Sequence, residues 1–215
     1  MKRHVAALVI GMGLLAAPLA AQHARLFPPQ DLGLLEGPDR DAYQRPEQIM
    51  DTLLIGDGST VADLGAGGGW FTVRLSRRVG PNGRVYAEDI QPQMIEAIER
   101  RVQREGLRNV KTVLGTPTDP KIPDASLDAV LIVDAYHEIE QPITLLRNVA
   151  KSLKRTGMIG IVNYKKDGGG PGPAMEERVD AEQVIGDARA AGLGLRKREN
   201  FLRYQYLLTF AVAPK

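Results

Sequence analysis

From position 60 onward, short apolar runs alternate with segments in which apolar residues recur every three or four positions. The short runs predict strands, and the three-to-four spacing predicts amphipathic helices. The predicted strands are Thr60–Leu64, Arg84–Asp89, Val110–Leu114, Leu127–Val133, Gly157–Tyr164, Leu195–Phe201 and Gln205–Val212. The predicted helices among them are Gly68–Arg78, Pro92–Glu105, Gln141–Leu153 and Asp180–Ala191, and a further helix begins at Pro46.

Strands that alternate with helices are typical of a parallel sheet with helices on both faces. The last two predicted strands have no helix between them, so we expect them to pair as an antiparallel hairpin at one edge of the sheet. The sequence therefore predicts an α/β, Rossmann-like, doubly wound domain over residues 45–215.

The first residues form a separate segment. A short basic head precedes the uncharged run Val5–Ala17, and small residues follow up to Ala21. This order is typical of a secretory signal, or of an amino-terminal anchor if the segment stays uncleaved. We therefore expect residues 1–21 to direct export to the periplasm, or to anchor the protein in a membrane with its domain on the outer side. Residues 22–44 are rich in proline and glycine and predict a tether or an irregular arm.

Charge and cysteine content exclude several classes of function. The chain has 28 basic and 26 acidic residues, and two of the basic ones lie in the first three positions, so the rest of the chain is balanced. No excess of positive charge is left to indicate a nucleic acid partner. The absence of cysteine excludes disulfides, thiolate metal ligands and a cysteine nucleophile. No acidic residue has histidine partners at metal-ligand spacing, so we expect no metal site.

The most informative motif follows the first predicted strand and runs from Asp63 to Trp70 as Asp-Leu-Gly-Ala-Gly-Gly-Gly-Trp. Glycines before a helix allow a ligand to contact backbone N–H groups. A dinucleotide site needs a third glycine where Trp70 stands, and Asp63 would repel a pyrophosphate. The motif suits a cationic ligand better, which disfavours a nicotinamide-dependent oxidoreductase.

The second predicted strand ends at Glu88-Asp89. A carboxylate at this place can accept hydrogen bonds from both hydroxyls of a ribose, and Asp89 stands 24 residues after Gly65 (65 to 89), near the expected spacing. The alternative is that Asp89 caps the helix that begins near Pro92, with Glu88 contacting the ligand instead.

These motifs resemble those of class I, S-adenosylmethionine-dependent methyltransferases. The resemblance rests on Asp63–Trp70 and Tyr86–Met94, continues through Leu127–Glu138, and covers the chain from about Arg45 to Lys215. It is closest to small-molecule methyltransferases of the quinone-biosynthesis type. It implies a seven-stranded sheet whose last strand is antiparallel, and S-adenosylmethionine as cofactor.

The resemblance also implies which residues contact the cofactor. By position these are Asp63, Gly65, Ala66, Gly67, Gly69, Asp89, Ile90, Thr116 and Asp134. The glycines would hold the methionine part, with Asp63 near its ammonium group. Asp89 would bind the ribose and Ile90 would pack on the adenine. Thr116 departs from the family, which commonly has an aspartate there. Each glycine could instead serve only a turn, and Asp63 could cap nearby backbone.

Three predicted catalytic residues lie just past the fourth predicted strand, namely Asp134, Tyr136 and His137. His137 is the one histidine of the predicted domain, and its ordinary pKa range suits a general base near neutral pH. The alternatives are that His137 only orders the loop, that Tyr136 is a core residue or a pocket wall, and that Glu138 is a solvated surface residue.

The acceptor is less constrained by the sequence. Tyr164 and Tyr204 are candidates for lining its pocket, although ordinary aromatic packing is the better explanation for Tyr204 and Tyr206. Gly168–Gly172 could be a lid over the acceptor or a connector. The chain has no Asn-Pro-Pro-Tyr motif of the kind that marks methylation of nucleic acid bases. We therefore expect an enzyme that methylates a small-molecule or lipid-like acceptor. The alternative is a non-catalytic protein that binds S-adenosylmethionine on the same fold.

Overall fold

The computed structural model describes residues 26–213, so the predicted export segment, 1–21, lies outside the described residues. The strands are β1 (Thr60–Leu64), β2 (Arg84–Asp89), β3 (Val110–Leu114), β4 (Leu127–Val133), β5 (Leu153–Tyr164), β6 (Leu193–Glu199) and β7 (Gln205–Val212). The α-helices are α1 (Arg40–Gln44), α2 (Pro46–Thr52), α3 (Trp70–Val79), α4 (Pro92–Arg104), α5 (Pro142–Ser152) and α6 (Ala181–Ala190). Short 3-10 helices cover Pro29–Glu36, Tyr136–Glu138 and Met175–Glu177.

All seven strands form one sheet in the order β3-β2-β1-β4-β5-β7-β6. Strand β7 runs antiparallel to both of its neighbours, β5 and β6, and the other pairs are parallel. The predicted Rossmann-like, seven-stranded sheet with an antiparallel carboxyl-terminal hairpin is confirmed.

Two apolar layers cover the sheet, and strand β4 shows how the sequence builds both. Ala129, Leu131 and Val133 join a cluster with α2 and α3, whereas Val130 and Ile132 join a cluster with α5 and α6. Successive strand residues point to opposite faces, so a continuous apolar run is what a doubly covered strand requires. Each fully buried aliphatic side chain contributes about 1.5–3 kcal/mol to folding.

The order of the strands reverses between β1 and β4. The chain proceeds outward from β1 to β2 and β3, then returns to β4 on the other side of β1. In such sheets ligands bind beyond the carboxyl ends of the strands at this switch point. The residues that leave the sheet there are Gly65, after β1, and Asp134, after β4.

Two of the seven strands have bounds that differ from prediction, and the helix ends differ by one or two residues. Strand β5 begins at Leu153 rather than Gly157, because Leu153 has extended backbone and pairs with Leu127 across a register shift. Strand β6 begins at Leu193, directly after the left-handed Gly192, and ends two residues early. Within residues 26–213, no helix has the length and apolar character needed to cross a membrane.

Candidate functional site

The glycine loop, residues 65–69, lies between β1 and α3 and contacts the turn that follows β4. Gly65 and Gly67 have φ angles of +69° and +54°, a region that favours glycine. A Cβ atom on Gly65 would lie 2.7 Å from the Cβ of Ala135. The N–H of Ala66 donates to the carbonyl of Glu88 at 2.9 Å. The loop is therefore fixed between the ends of β2 and β4, as a backbone-lined ligand site requires.

Asp89, at the end of β2, is bound to this loop. Its Oδ2 accepts from the N–H of Gly67 at 3.0 Å, and its Oδ1 accepts from the N–H of Gln91 at 2.9 Å. The second bond lies at the start of α4, so the predicted capping alternative for Asp89 is present. A carboxylate has about four acceptor positions, which leaves capacity for two hydroxyl donors. Ile90 follows, half-buried.

Three buried carboxyl groups, those of Asp63, Glu88 and Asp89, and the half-buried carboxyl group of Asp134 lie around the glycine loop. Burial raises the pKa of Asp63 to about 6 and that of Glu88 to about 8. It also raises the pKa of Asp89 and of Asp134. Removal from water disfavours the charged form of each group, and a cation among them would restore it. The residues present therefore fit the ammonium and sulfonium groups of S-adenosylmethionine.

Asp63 and Thr116 already have protein partners. Oδ2 of Asp63 accepts from the hydroxyl of Thr72 on α3 at 2.6 Å, which ties β1 to that helix. The hydroxyl of Thr116 accepts from the N–H of Asp119 at 3.0 Å and belongs to a local turn. Both side chains therefore have a structural role, whether or not they also contact a ligand.

Asp134 connects the sheet to the amino-terminal segment. Its Oδ1 accepts from Nε2 of Gln205 at 2.6 Å, and its Oδ2 accepts from Nε2 of Gln44 at 2.9 Å. Its backbone has a φ of +56°, which is unusual for a residue with a side chain. The two amide donors hold the carboxylate in one orientation and connect the end of β4 to α1 and β7.

The three residues after Ala135 have different surroundings. Tyr136 is 2% exposed, and its hydroxyl donates to Oδ2 of Asp187 on α6 at 2.9 Å, so it lies in the core. The side chain of His137 is 13% exposed, and its Nε2 lies 3.8 Å from Oε1 of Glu138. Glu138 accepts from the backbone N–H of Phe27 at 2.8 Å. The structure thus brings His137 together with Glu138, and does not bring Tyr136 with them.

Burial sets the protonation of this pair. It lowers the pKa of His137 and raises the pKa of Glu138 to about 7. A group whose pKa lies near the working pH is the most effective general acid or base. The alternative that Glu138 is a solvated surface residue does not hold. Its side chain is half-buried, and the chain at Phe27 covers it.

The arm, residues 26–44, was missed as part of the site. It contains two short helices and lies over the glycine loop, where side chains of Leu32 and Leu35 approach Gly68 and Gly67. Glu36 pairs with Arg101 on α4 and closes the other side. The alternation of leucine with polar residues after Pro28 was the available signal. It could not show which surface the arm covers.

Tyrosines occupy the side of the site that faces β5 and β7. The hydroxyls of Tyr164 and Tyr43 lie 3.4 Å apart, and the rings of Tyr43 and Tyr204 meet edge to face at 6.1 Å. Tyr43 and Tyr204 line an open cavity of about 370 Å³. Of the two predicted tyrosines, Tyr204 thus lines an accessible cavity, whereas Tyr164 is buried.

The glycine-rich segment 168–172 packs against these rings. A Cβ on Gly172 would lie 2.6 Å from the ring of Tyr164. The buried guanidinium of Arg178 donates to four backbone carbonyls around the segment, at 3.0–3.2 Å. Those carbonyls belong to Lys165, Gly169, Pro171 and Pro173. One side chain thus holds a segment that has no regular structure.

Comparison with known proteins agrees with this geometry. The fold superposes on a crystal structure of a SAM-dependent methyltransferase from Aquifex aeolicus with a TM-score of 0.84 and 26% identity, over 87% of this chain and 100% of that one. Residues 61–157 match the family described as "Methyltransferase domain". The chain thus has the fold of S-adenosylmethionine-dependent methyltransferases, and residues 61–157 match a methyltransferase domain. S-adenosylmethionine is the cofactor that this fold binds, and the carboxylate-lined loop of this chain fits it.

Curated relatives point the same way. The methyltransferase is 33% identical over 143 residues to an uncharacterized methyltransferase of Mycobacterium tuberculosis, across 64% of this chain and 55% of that protein. It is 29% identical over 112 residues to the demethylmenaquinone methyltransferase of Geobacillus stearothermophilus, across 52% of this chain and 48% of that protein. The chain thus spans about half the length of the curated relatives it matches.

Proposed function

We propose that this methyltransferase transfers the methyl group of S-adenosylmethionine to a small-molecule acceptor, and that lipid-like molecules such as quinone precursors are the first class to test. The observation that carries the proposal is the cluster of buried carboxyl groups around the glycine loop. The similarity to a demethylmenaquinone methyltransferase supports the choice of acceptor class.

Binding and water exclusion are the main tasks of the chain's own residues. The cofactor supplies a methyl group that is already activated on a sulfonium. Asp89 and the backbone of the glycine loop would hold the nucleoside and methionine parts. The arm covers the loop through Leu32 and Leu35 and keeps water from it. Alignment and a dry site can supply much of the rate of such a transfer.

A proton must leave the acceptor if it arrives protonated, and we propose that His137 and Glu138 perform this step. The low pKa of His137 keeps its imidazole neutral at pH 7. Glu138, with a pKa of about 7, is partly ionised at the same pH. The 3.8 Å between Nε2 and Oε1 lets the carboxylate stabilise the imidazolium that forms.

The test begins with calorimetric titration of the protein with S-adenosylmethionine, S-adenosylhomocysteine and NAD. We expect micromolar binding of the first two, no binding of NAD, and loss of binding in Asp89→Ala. The matched control is Asp124→Ala, at an exposed aspartate in the turn before β4. NAD binding in place of the other two would contradict the proposal.

Turnover is tested separately by the release of S-adenosylhomocysteine with a panel of quinols, phenols and amines. Release with one class and not the others would identify the acceptor chemistry. Binding without turnover on any acceptor would favour the non-catalytic alternative. In an active enzyme, Glu138→Gln and His137→Gln should lower kcat while leaving cofactor affinity unchanged.

We also propose that residues 1–21 export the protein. The basic head and apolar run support this. The test is a fusion of residues 1–45 to alkaline phosphatase, which is active only outside the cytoplasm, beside a fusion of residues 22–45. Activity confined to the longer fusion is expected, and an inactive longer fusion would overturn the proposal.

A further inference from the structure

Helix α1 places a guanidinium group over Trp70, the residue that directly follows the glycine loop. Arg40, its first residue, is buried, and its positive charge acts on both Asp63 and Asp134. The carboxyl groups of this site fit a cation, so the role of a positive charge beside them has to be explained. Two reasons are open: Arg40 neutralises the carboxylates, or it binds an anionic group of the ligand.

The guanidinium of Arg40 is held in a fixed orientation. Its Nε donates to Oε1 of Gln44 and its Nη1 donates to the carbonyl of Leu35, each at 2.5 Å. Its plane lies over the ring of Trp70, with the central carbon 4.2 Å from the ring centroid. A guanidinium group that is already held in one orientation loses little conformational entropy when it binds a planar anion.

The second terminal nitrogen, Nη2, has no hydrogen-bond acceptor among residues 26–213. Its nearest carboxylate oxygen is Oδ2 of Asp134 at 3.9 Å, which is beyond hydrogen-bond distance. Asp134 already accepts from Gln44 and Gln205. Neutralisation of Asp134 therefore leaves the donors of Nη2 unused, and a ligand carboxylate would use them.

Arg40 also lies beside the amino-terminal end of helix α3. Trp70, which lies under the guanidinium, is the first residue of the ten-residue helix α3. Gly69, the residue before this helix, has no side chain to cap it, and Asp63 contacts Thr72 in its first turn. The end of a helix with free N–H groups attracts anions, so the helix and the guanidinium favour negative charge at the same place.

We infer that Arg40 binds the α-carboxylate of the methionine part of the cofactor, while Asp63 and its neighbours face the ammonium group. This rests on the proposed function. A free amino acid group carries both charges, and the cleft offers both complements. The arm then completes the cofactor site instead of only covering it.

The inference is tested by binding of three ligands to the full chain: S-adenosylhomocysteine, 5′-methylthioadenosine, which lacks the amino acid part, and decarboxylated S-adenosylmethionine. Arg40→Gln should weaken S-adenosylhomocysteine on the order of tenfold or more and leave the other two within about twofold. Arg40→Lys should recover part of the loss. Arg74→Gln is the control, because Arg74 also lies over Trp70 but is paired with Asp41, and it should change none of the three.

The outcomes separate the alternatives. Equal weakening of all three ligands by Arg40→Gln would mean that Arg40 acts by folding the arm, and unchanged S-adenosylhomocysteine binding would mean that it only neutralises Asp134. Either result overturns the assignment. Binding of none of the ligands by the unmodified protein would overturn the proposed function itself, which is a different result from both.

Discussion

Gly65 and Ala135 approach so closely that a Cβ atom on Gly65 would lie 2.7 Å from the Cβ of Ala135. The two residues leave β1 and β4, the strands on either side of the switch point. Because Gly65 has no side chain, the two loops can meet at the place where we propose that the cofactor contacts backbone.

Gly65→Ala should lower the free energy of unfolding by about 1–3 kcal/mol and abolish cofactor binding, because the substitution combines a contact with Ala135 and a left-handed φ. Thermal unfolding and calorimetry measure the two effects. Gly56→Ala is the control, since a Cβ there meets nothing within 4 Å. Normal cofactor affinity in Gly65→Ala would contradict the role given to the loop.

Gln44→Ala should loosen the arm. The substitution removes a donor from Asp134 and an acceptor from Arg40, which are the bonds that tie α1 to the rest of the site. Limited trypsin digestion should cut after Arg40 on the order of fivefold faster, since local opening exposes the backbone. Gln48→Ala, at an exposed neighbour on α2, should leave the rate unchanged. Equal rates in both variants would show that the arm is held by its leucines alone.

Glu88 should make stability fall as pH rises. Its folded pKa of about 8 lies above the ordinary 4.5, so the folded state holds the proton more tightly and loses that advantage between about pH 5 and pH 8. Glu88→Gln should flatten this fall by on the order of 2 kcal/mol. Urea unfolding across the range measures it. Glu105→Gln, at the surface partner of Arg77, should keep the slope of the unmodified protein.

His137 should titrate below its ordinary pKa of 6.5, because burial disfavours the imidazolium. Nitrogen-detected NMR of the ring gives the pKa directly, and the same histidine in the urea-unfolded chain is the reference. A value at or above the reference would remove the argument for a neutral base. Glu138→Gln should change the pKa of His137 little, because Glu138, with a pKa of about 7, is mostly protonated at the pH where His137 titrates.

Tyr136→Phe should separate a core role from a catalytic one. The loss of the bond to Asp187 should cost about 1 kcal/mol of stability without a change in cofactor affinity or turnover. Tyr206→Phe, which removes a comparable bond to the carbonyl of Val179, should behave alike. A large drop in kcat confined to Tyr136→Phe would restore the catalytic role that the sequence suggested.

Local pattern was enough to predict the sheet and the loop. The apolar run of β4 predicts a strand, and the glycine spacing after Asp63 predicts a loop, each from a few neighbouring residues. The observed strands match the predicted ones closely. The contacts of Arg40 and Glu138 could not be read in this way. Arg40 acts on Asp134, 94 residues further on (40 to 134), and Glu138 is covered by Phe27. Such pairings depend on how the arm docks, which no local periodicity encodes.

The four carbonyls held by Arg178 have a consequence for redesign. A carbonyl group is common to every amino acid, so the guanidinium holds the segment's path without regard to most of its side chains. Gly170 and Gly172 are constrained by the rings beneath them, whereas Lys166 and Asp167 are exposed. Libraries at positions 166 and 167 would therefore vary side chains directly before the glycine-rich segment, while the hydrogen bonds from Arg178 keep its backbone in place. These two positions are suitable for directed evolution of acceptor preference.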